Sequence, residues 1–210
     1  MTTSTTPRSV LLVAATEAEV ASIRPALRKD VHVLVTGVGM VATVARCARA
    51  LAQRPYDLAL NVGVCGSFDP SLRPGTVVHV VRDRIAELGA EDGEQFLTMT
   101  EIGLPADGCF FNATPPDNAA LGELPRVEGI TVNTVHGAGA SIAAVVDRFH
   151  PQVESMEGAG FMCACVDAGV PFAQVRAVSN VVERRNRAAW RLTEAIASLA
   201  RAAERILNER

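Results

Sequence analysis

The segment SVLLVAATEAEV, residues 9–20, is the stretch that decides the fold class. Residues 9–15 form an unbroken apolar run, which is typical of a strand buried on both faces of a sheet. Thr16 then offers an N-cap side chain, and Glu19 follows three residues later, in the position of a capping box. The segment therefore predicts a buried strand that leads directly into a helix.

The same alternation of strands and helices continues along the chain. Apolar runs predict strands at 9–15, 31–37, 57–64, 74–81, 129–137 and 171–180. Helical periodicity predicts helices at 40–53, 138–149, 156–169 and 187–208, and Gly169 is a candidate C-cap. Residues 82–126, which hold several Pro and Gly, are interpreted as loops at one end of the sheet. We therefore expect an α/β fold, a three-layer α/β/α sandwich with a central mixed, mostly parallel sheet. Residues 1–8 are expected to be a flexible N-terminus and residues 9–210 a single domain.

Composition excludes several functions. The 210 residues are 49% hydrophobic with a net charge of −3, and we find no basic stripe long enough to follow nucleic-acid phosphates. No charge-free run of about 18 apolar residues is present, so no membrane span is expected. The short polar N-terminus has no signal-peptide pattern, which together with an odd number of cysteines in apolar surroundings predicts a reduced, cytoplasmic protein. The cysteines are Cys47, Cys65, Cys109, Cys163 and Cys165. Cys163 and Cys165 lie in a helical apolar pattern without a partner pair at ligand spacing, so we expect core residues and no metal.

A glycine pattern in VTGVGMVATVAR resembles a dinucleotide-binding motif. Gly37, Gly39 and Ala42 follow a strand and open a helix, as that motif requires. The next strand, however, has Asp57 at its beginning instead of an acidic residue at its end, and the pattern follows the second strand of the chain. We therefore favour a tight turn with close packing of helix on strand over an oxidoreductase site.

Four segments in this order resemble the nucleoside phosphorylase and nucleosidase superfamily, over about residues 9–205. They are AATEAEV (14–20), NVGVCGSF (61–68), VESMEGAGF (153–161) and VRAVSN (175–180). Within the superfamily, AELGAEDGEQF (86–96), SMEGAGF (155–161) and SNVVERRNRAAW (179–190) are most similar to the futalosine hydrolases. The resemblance implies hydrolysis of the N-glycosidic bond of futalosine, giving hypoxanthine and dehypoxanthine futalosine in menaquinone biosynthesis, without a cofactor. It also implies a homo-oligomer in which a neighbouring chain completes the pocket for the 5′-substituent.

Acidic residues carry the sugar chemistry that this resemblance implies. Glu157 would hold the ribose 2′ and 3′ hydroxyls with its two carboxylate oxygens, and Met156 would pack on the ribose. The alternative for Glu157 is a carboxylate satisfied by the N-terminus of its own helix. Glu19 would activate water, with Glu17 as its competitor and a capping or solvated acid as the structural alternative. Glu154 is interpreted as a structural or rim residue.

The purine side of the implied site centres on Asn180. Related adenine-specific enzymes have Ser-Asp where this chain has Ser179-Asn180, and an amide can donate to the carbonyl at position 6 and to N7. A 6-oxopurine such as hypoxanthine is therefore favoured over adenine. Cys65 and Gly66, in a turn after Asn61, would line the purine pocket, and Cys65, in apolar surroundings, is not expected to act as a nucleophile.

The segment ERRNRAAW, residues 183–190, is a candidate site for the carboxylate of the futalosine 5′-substituent. An Arg fork suits a carboxylate, so Arg184, Arg185 and Arg187 are the candidates, with Arg185 named as the site residue although the sequence does not choose among the three. A solvated basic start of the last helix is the alternative. His136 is interpreted as a structural residue at a strand end.

Three other functions remain as alternatives. Phosphorylases of the superfamily carry a Gly-Asp-Pro-x-x-Arg type loop where this chain has ATEAEV, which contains neither Gly nor Arg, so water is favoured over phosphate as the nucleophile. A methylthioadenosine/S-adenosylhomocysteine-type nucleosidase would need a base site that accepts adenine. A non-catalytic nucleoside-binding module is disfavoured because Glu19, Glu157 and Asn180 are all present.

Overall fold

The computed structural model describes residues 9–105 and 108–209, which hold ten strands and six α-helices. The strands are β1 (Val10–Ala14), β2 (Val31–Val35), β3 (Leu58–Ser67), β4 (Val77–Ile85), β5 (Gly89–Asp92), β6 (Gln95–Thr98), β7 (Cys109–Phe111), β8 (Arg126–Thr131), β9 (Val153–Ser155) and β10 (Phe172–Val181). The helices are α1 (Glu17–Val20), α2 (Met40–Gln53), α3 (Ala119–Gly122), α4 (Gly139–Phe149), α5 (Gly158–Ala168) and α6 (Leu192–Asn208). Short 3-10 turns lie at Arg24–Ala26 and Arg187–Ala189. The expected flexible N-terminus, residues 1–8, lies outside the described residues.

Eight strands form one mixed sheet in the order β10-β4-β8-β9-β3-β1-β2, with β7 paired to β4. Strand β10 also pairs with β3, so that β3, β10, β4, β8 and β9 close into a ring. Pairs β1–β2, β1–β3, β3–β10, β4–β8 and β8–β9 are parallel, whereas β4–β10, β3–β9 and β4–β7 are antiparallel. Strands β5 and β6 form a separate hairpin. The predicted mixed, mostly parallel sheet is confirmed.

The first strand packs against helices on both of its faces. Leu12 belongs to a core that also contains residues of α1, α3 and α6, such as Leu199. Leu11 and Val13 point into a second core with residues of α2 and α5, such as Phe161. Because neighbouring residues of a strand face opposite sides, the continuous apolar run of β1 fills both cores. This arrangement gives the predicted three layers.

The predicted strand–helix junction at Thr16 forms with the expected contacts. The backbone N–H and the hydroxyl of Thr16 donate to Oε2 of Glu19, at 2.8 and 3.0 Å. Helix α2 spans 40–53 as predicted, and α5 ends at Gly169, whose φ of 65° is the left-handed C-cap conformation.

Several predictions about element bounds were wrong. The strands predicted at 74–81 and 129–137 are β4, Val77–Ile85, and β8, Arg126–Thr131. The predicted turn after Asn61 is strand instead, because β3 continues through Gly63 and Gly66 to Ser67. The terminal α-helix begins at Leu192 and not at 187, where a 3-10 turn stands. The predicted loop region 82–126 contains the end of β4, the β5–β6 hairpin, β7 and α3. Among the described residues, no helix combines the length and the apolar character that crossing a membrane requires.

Candidate active site

A cavity of about 400 Å³ lies at the carboxyl ends of β1, β3 and β10, beside β9 and the first residues of α6. This is the edge of a parallel sheet at which ligands of α/β proteins bind. Seven of the eight predicted site residues line it: Glu19, Cys65, Gly66, Met156, Glu157, Ser179 and Asn180. Residues far apart in the sequence are thus brought together around one space of nucleoside size.

Glu19 is a buried carboxylate with donors at both oxygens. Thr16 donates twice to Oε2, and the N–H of Val64 on β3 donates to Oε1 at 3.2 Å. Only 6% of Glu19 is exposed. The competing acid, Glu17, lies on the surface, where it forms a salt bridge with Arg24. The structure therefore favours Glu19 over Glu17 as the acid that faces a ligand.

Arg176 on β10 is a buried cation that the sequence analysis did not assign. Its Nη2 donates to Asn61 Oδ1 at 2.6 Å and to Gln174 Oε1 at 3.0 Å. A Cβ built on Gly63 would lie 3.0 Å from Glu19 Oε1 and would collide with Nη1 of Arg176. Both side chains therefore come close to Gly63, which leaves space for them because it has no side chain. The available signal was a single charged residue inside the apolar pattern of VRAVSN.

The positive charge of Arg176 is connected to Asp83 on β4 through Gln174. Gln174 Nε2 donates to Asp83 Oδ2 at 2.9 Å, and Thr131 donates to Oδ1 at 2.8 Å. Burial raises the pKa of Asp83 to about 6, although these hydrogen bonds and Arg176 act in the opposite direction. Polar residues of four strands, β3, β4, β8 and β10, thus form one buried network near the cavity.

Glu157 occupies the N-cap position of α5 and is held by the glycine turn that precedes α2. Its Oε1 accepts the N–H of Gly39 at 3.0 Å, while its side chain makes no capping hydrogen bond to α5. Gly37 and Gly39 have φ values of 79° and 100°, a conformation that favours glycine. The glycine pattern is therefore a tight turn, as predicted, and one of its amides binds Glu157.

Asn180 and Ser179 end β10 next to Gly66 of β3. The Ser179 hydroxyl lies 2.8 Å from Asn180 Oδ1 and 3.1 Å from the carbonyl of Cys65, and its one proton can serve either acceptor. The Asn180 amide donates to the carbonyl of Val181 at 2.9 Å. Burial raises the pKa of the Cys65 thiol to about 12, so this cysteine is a neutral lining group.

A third carboxylate, Glu154 on β9, also lines the cavity, together with His136. The His136 Nδ1 lies 2.6 Å from Glu154 Oε2, and its backbone N–H donates to Oε1 at 3.2 Å. Burial raises the pKa of Glu154 despite its hydrogen bonds with His136. Sequence reasoning assigned Glu154 to structure or to the rim, but the residue is 4% exposed and belongs to the cavity wall.

The predicted Arg185 lies beyond the cavity wall, next to a residue that forms it. The Arg185 guanidinium is 5.6 Å from the ring centroid of Trp190, and Trp190 lines the cavity. The Arg185 N–H donates to the carbonyl of Gly137 at 3.1 Å. A role in binding the distal part of a substrate stays a prediction.

The cavity is acidic. Glu19, Glu154 and Glu157 line it, whereas its lining in the described part of the chain includes no lysine or arginine. Nowhere in residues 9–105 and 108–209 do three or more His, Cys, Asp or Glu side chains come together in a group that could hold a metal ion.

The fold and this cavity define the class of protein. The phosphorylase superfamily model matches residues 17–208, so the chain belongs to the phosphorylase superfamily. Within it, the chain is 34% identical to the futalosine hydrolase of Thermus thermophilus over 186 residues, covering 84% of this chain and 80% of that enzyme. It is 37% identical to the Streptomyces coelicolor futalosine hydrolase over 179 residues, covering 79% of this chain and 74% of that enzyme. The predicted family is confirmed.

The fold is also that of a solved relative. The native structure of the futalosine hydrolase of Helicobacter pylori superposes with a TM-score of 0.83 at 13% identity, covering 96% of this chain and 97% of that one. At this identity the likeness concerns the fold, and it agrees with the predicted three-layer architecture.

Proposed function

We propose that the protein hydrolyses the N-glycosidic bond of futalosine, releasing hypoxanthine and dehypoxanthine futalosine in menaquinone biosynthesis. The observation that carries the proposal is the convergence of Glu19, Glu157 and Asn180 on one cavity, in a chain at 34–37% identity with futalosine hydrolases. The reaction needs a carboxylate that takes a proton from water, an anion near the sugar and an amide that binds the purine.

The sugar half of the reaction is assigned to the two carboxylates. Cleavage of a ribosyl–purine bond passes through a sugar with oxocarbenium character, which a nearby anion stabilises. Glu157, anchored by Gly39, holds the ribose hydroxyls, and Met156 packs on the ribose. Glu19 takes a proton from the attacking water as general base. Thr16 and Val64 fix the Glu19 carboxylate, and Arg176, which also comes close to Gly63, adds positive charge near it.

The base half is assigned to Asn180. An amide N–H donates to O6 and N7 of hypoxanthine, so negative charge that develops on the leaving base is stabilised through hydrogen bonds. Ser179 fixes the amide through its contact with Oδ1. The neighbouring Cys65 and Gly66 form the wall along which the base lies.

Water is favoured over phosphate as the nucleophile by the charge of the cavity. Three carboxylates line it, and in the described part of the chain no arginine or lysine joins them there. A phosphate dianion would meet like charges at short range, which is unfavourable in a buried site. This supports a hydrolase over a purine nucleoside phosphorylase.

We also propose that the protein works as a cytoplasmic homo-oligomer. Exposed apolar residues at the mouth of the cavity, Val38 and Leu192, are 57% and 40% accessible in the isolated chain. A neighbouring chain would cover this mouth and complete the pocket for the 5′-substituent.

The test is to incubate the purified protein with futalosine, inosine and methylthioadenosine in phosphate-free buffer and to measure the free base by chromatography. We expect hypoxanthine from futalosine without added phosphate. Turnover that requires phosphate would identify a phosphorylase, and release of adenine without release of hypoxanthine would overturn the substrate assignment.

A further inference from the structure

Glu154 is the one carboxylate of the cavity to which the proposed reaction gives no task. It is almost fully buried, and both of its oxygens accept hydrogen bonds from His136. A carboxylate has about four acceptor positions, so these contacts leave capacity for a ligand. A buried carboxylate is unfavourable unless donors surround it, and here the remaining space next to it is the cavity.

Strand pairing places Glu154 opposite Asn180. In the sheet Gly66 pairs with Glu154 of β9 on one side and with Asn180 of β10 on the other. A Cβ built on Gly66 would lie 2.8 Å from Val182 Cγ2, 3.4 Å from Asn180 Nδ2 and 3.5 Å from Glu154 Cγ. Asn180 and Glu154 therefore lie on either side of Gly66 in the cavity wall, and the slot between them is also bounded by a methyl group of Val182. The backbones on either side of Gly66 are two strand spacings apart, roughly 10 Å.

The chemistry of this slot matches one edge of a 6-oxopurine. Along that edge hypoxanthine presents N7 and O6 as acceptors and N1–H as a donor, whereas adenine presents a donor amino group and an N1 lone pair. An ionised carboxylate can only accept hydrogen bonds, and an amide can donate them. Asn180 therefore suits N7 and O6, and Glu154 suits N1–H.

We infer that Glu154, oriented by His136, determines base specificity by accepting the N1–H of a 6-oxopurine on the side opposite Asn180. The inference rests on the proposed function and adds the residue that rejects adenine. Adenine would set its N1 lone pair against the carboxylate and leave Glu154 without a donor. A site built on such a hydrogen bond discriminates strongly, because the wrong base leaves a buried polar group unpaired.

A purely structural role for Glu154 makes a different prediction. Glu154 would then only fix the segment that carries His136, and its replacement would lower stability while leaving the preference between bases unchanged. The ratio of hypoxanthine to adenine affinity therefore separates the two roles, because loss of folding alone does not alter it.

The experiment compares wild type, Glu154→Gln and the matched control Glu128→Gln, which changes an exposed carboxylate on β8 that pairs with Arg82. Dissociation constants for hypoxanthine and adenine are measured from the fluorescence of Trp190, the only tryptophan, which lines the cavity. We expect Glu154→Gln to weaken hypoxanthine binding at least about tenfold and to lower the hypoxanthine-to-adenine preference equally. The control should keep both values.

The outcomes separate this inference from the proposed function. If wild type releases no hypoxanthine from futalosine or inosine, the proposed function fails. If wild type releases it and Glu154→Gln keeps the wild-type base preference, the inference about Glu154 is overturned. Should Glu154→Gln fail to fold, wild type is tested with 1-methylhypoxanthine, which lacks N1–H. Equal affinity for this base and hypoxanthine would overturn the inference, and a loss of at least about tenfold would support it.

Discussion

Glu19 and Glu157 are both buried, but they differ in how many of their carboxylate oxygens already accept hydrogen bonds. Glu19 accepts from Thr16 and Val64 at both oxygens, which fixes the orientation of its carboxylate. Among the described residues, Glu157 accepts one hydrogen bond, from Gly39 at Oε1. The second oxygen of Glu157 is therefore available to ribose hydroxyls, whereas the fixed carboxylate of Glu19 suits the directed removal of a proton from water.

The assignment of Glu19 as general base predicts the behaviour of Glu19→Gln. The amide keeps the size of the side chain but cannot accept a proton, so kcat for futalosine should fall roughly 100- to 10,000-fold. Because Glu19 does not touch the base in our scheme, the dissociation constant for hypoxanthine should stay within a few-fold of wild type. Steady-state kinetics and Trp190 fluorescence measure the two quantities.

Glu17→Gln is the matched control for this prediction. Glu17 lies two residues away in the same short helix, but it is solvent-exposed and pairs with Arg24. We expect its kcat to equal that of wild type. Full activity of Glu19→Gln, or an equal loss in both variants, would contradict the assignment.

Two residues of the site escaped prediction for a common reason. Arg176 and Glu154 lie inside strands β10 and β9, where a single charged residue gives no periodic signal of its own. Asn61 and Gln174, the partners of Arg176, and His136, the partner of Glu154, form no sequence motif with them. Glu19, Glu157 and Asn180, in contrast, stand at strand–helix junctions or strand ends, where a polar residue is visible against an apolar run. Functional residues at the ends of strands and helices could therefore be predicted from the sequence. Those within the strands could be found only from the pairing of the strands in the structure.

At the scale of elements, the start of α5 is set by the close approach of Gly158 to the buried network. A Cβ at this position would collide with Asp83 Oδ2 and Gln174 Oε1. Both atoms belong to hydrogen-bonded side chains, so neither can move without breaking the network. The helix can begin beside the network only because residue 158 has no side chain.

Gly158→Ala should therefore destabilise the protein by about 1–3 kcal/mol, the usual range for overpacking a buried site. In a chain of this size that corresponds to a fall in Tm of about 2–4 °C per kcal/mol, measurable by calorimetry. Gly122→Ala is the control, because no atom lies within 4 Å of a Cβ built at the end of α3. An unchanged Tm for Gly158→Ala would show that the network relaxes freely.

Elements with a strong pattern were predicted closely, and elements shaped by tertiary contacts were not. Helix α2 matches the predicted 40–53 because the helix is amphipathic and Gly39 marks its start. Strand β3 was cut short at Val64 because Gly63 and Gly66 signal a turn in isolation. In the molecule these glycines stay extended because β3 pairs there with β10 and, at Gly66, also with β9.

Strand β4 carries a histidine that links folding to pH. His79 is buried, and within the described residues its Nε2 has no hydrogen-bond partner. Burial, with a contribution from Arg126, lowers the pKa of His79 to about 4. Between pH 6.5 and 4 the unfolded chain therefore binds a proton that the folded chain does not. Stability from this residue is complete above pH 6.5 and is lost as the pH falls toward 4.

His79→Leu should remove this loss, since leucine does not titrate and leaves no unpaired polar atom. The difference in unfolding free energy between pH 7 and pH 4.5 should shrink by up to about 3 kcal/mol relative to wild type. Urea unfolding at both pH values measures it. The same acid-induced loss in both proteins would show that other groups govern it.

At the scale of the whole molecule, closure of five strands into a ring determines where the site stands. The three-residue strand β9 joins β8 to β3, and β10 joins β3 to β4. This closure brings Glu154, Gly66 and Asn180 side by side. Sequence patterns predicted the layers and most strands, but the pairing of so short a strand depends on contacts between distant residues and leaves no local pattern.

The proposed oligomer would bury exposed apolar residues near the cavity. Val41 on α2 is 78% exposed, and Val38, just before this helix, is 57% exposed and lines the cavity. Single exposed apolar residues are common, but here they adjoin the mouth of the substrate cavity. A second copy that covered Val41 would also wall the cavity near Val38.

Val41→Glu should therefore dissociate the oligomer and impair one part of substrate binding. Sedimentation velocity should give more than the mass of one chain for wild type and a single chain for the variant, because a charge buried at the interface is unfavourable. If the neighbouring subunit completes the 5′-pocket, KM for futalosine rises several-fold while the affinity for hypoxanthine, bound at the base end, is unchanged.

Val146→Glu, the same exchange at an exposed position of α4, should keep the wild-type mass and KM. A monomeric, fully active wild type would contradict the oligomer, and an equal rise of KM for inosine and futalosine would contradict a subunit contact with the 5′-substituent.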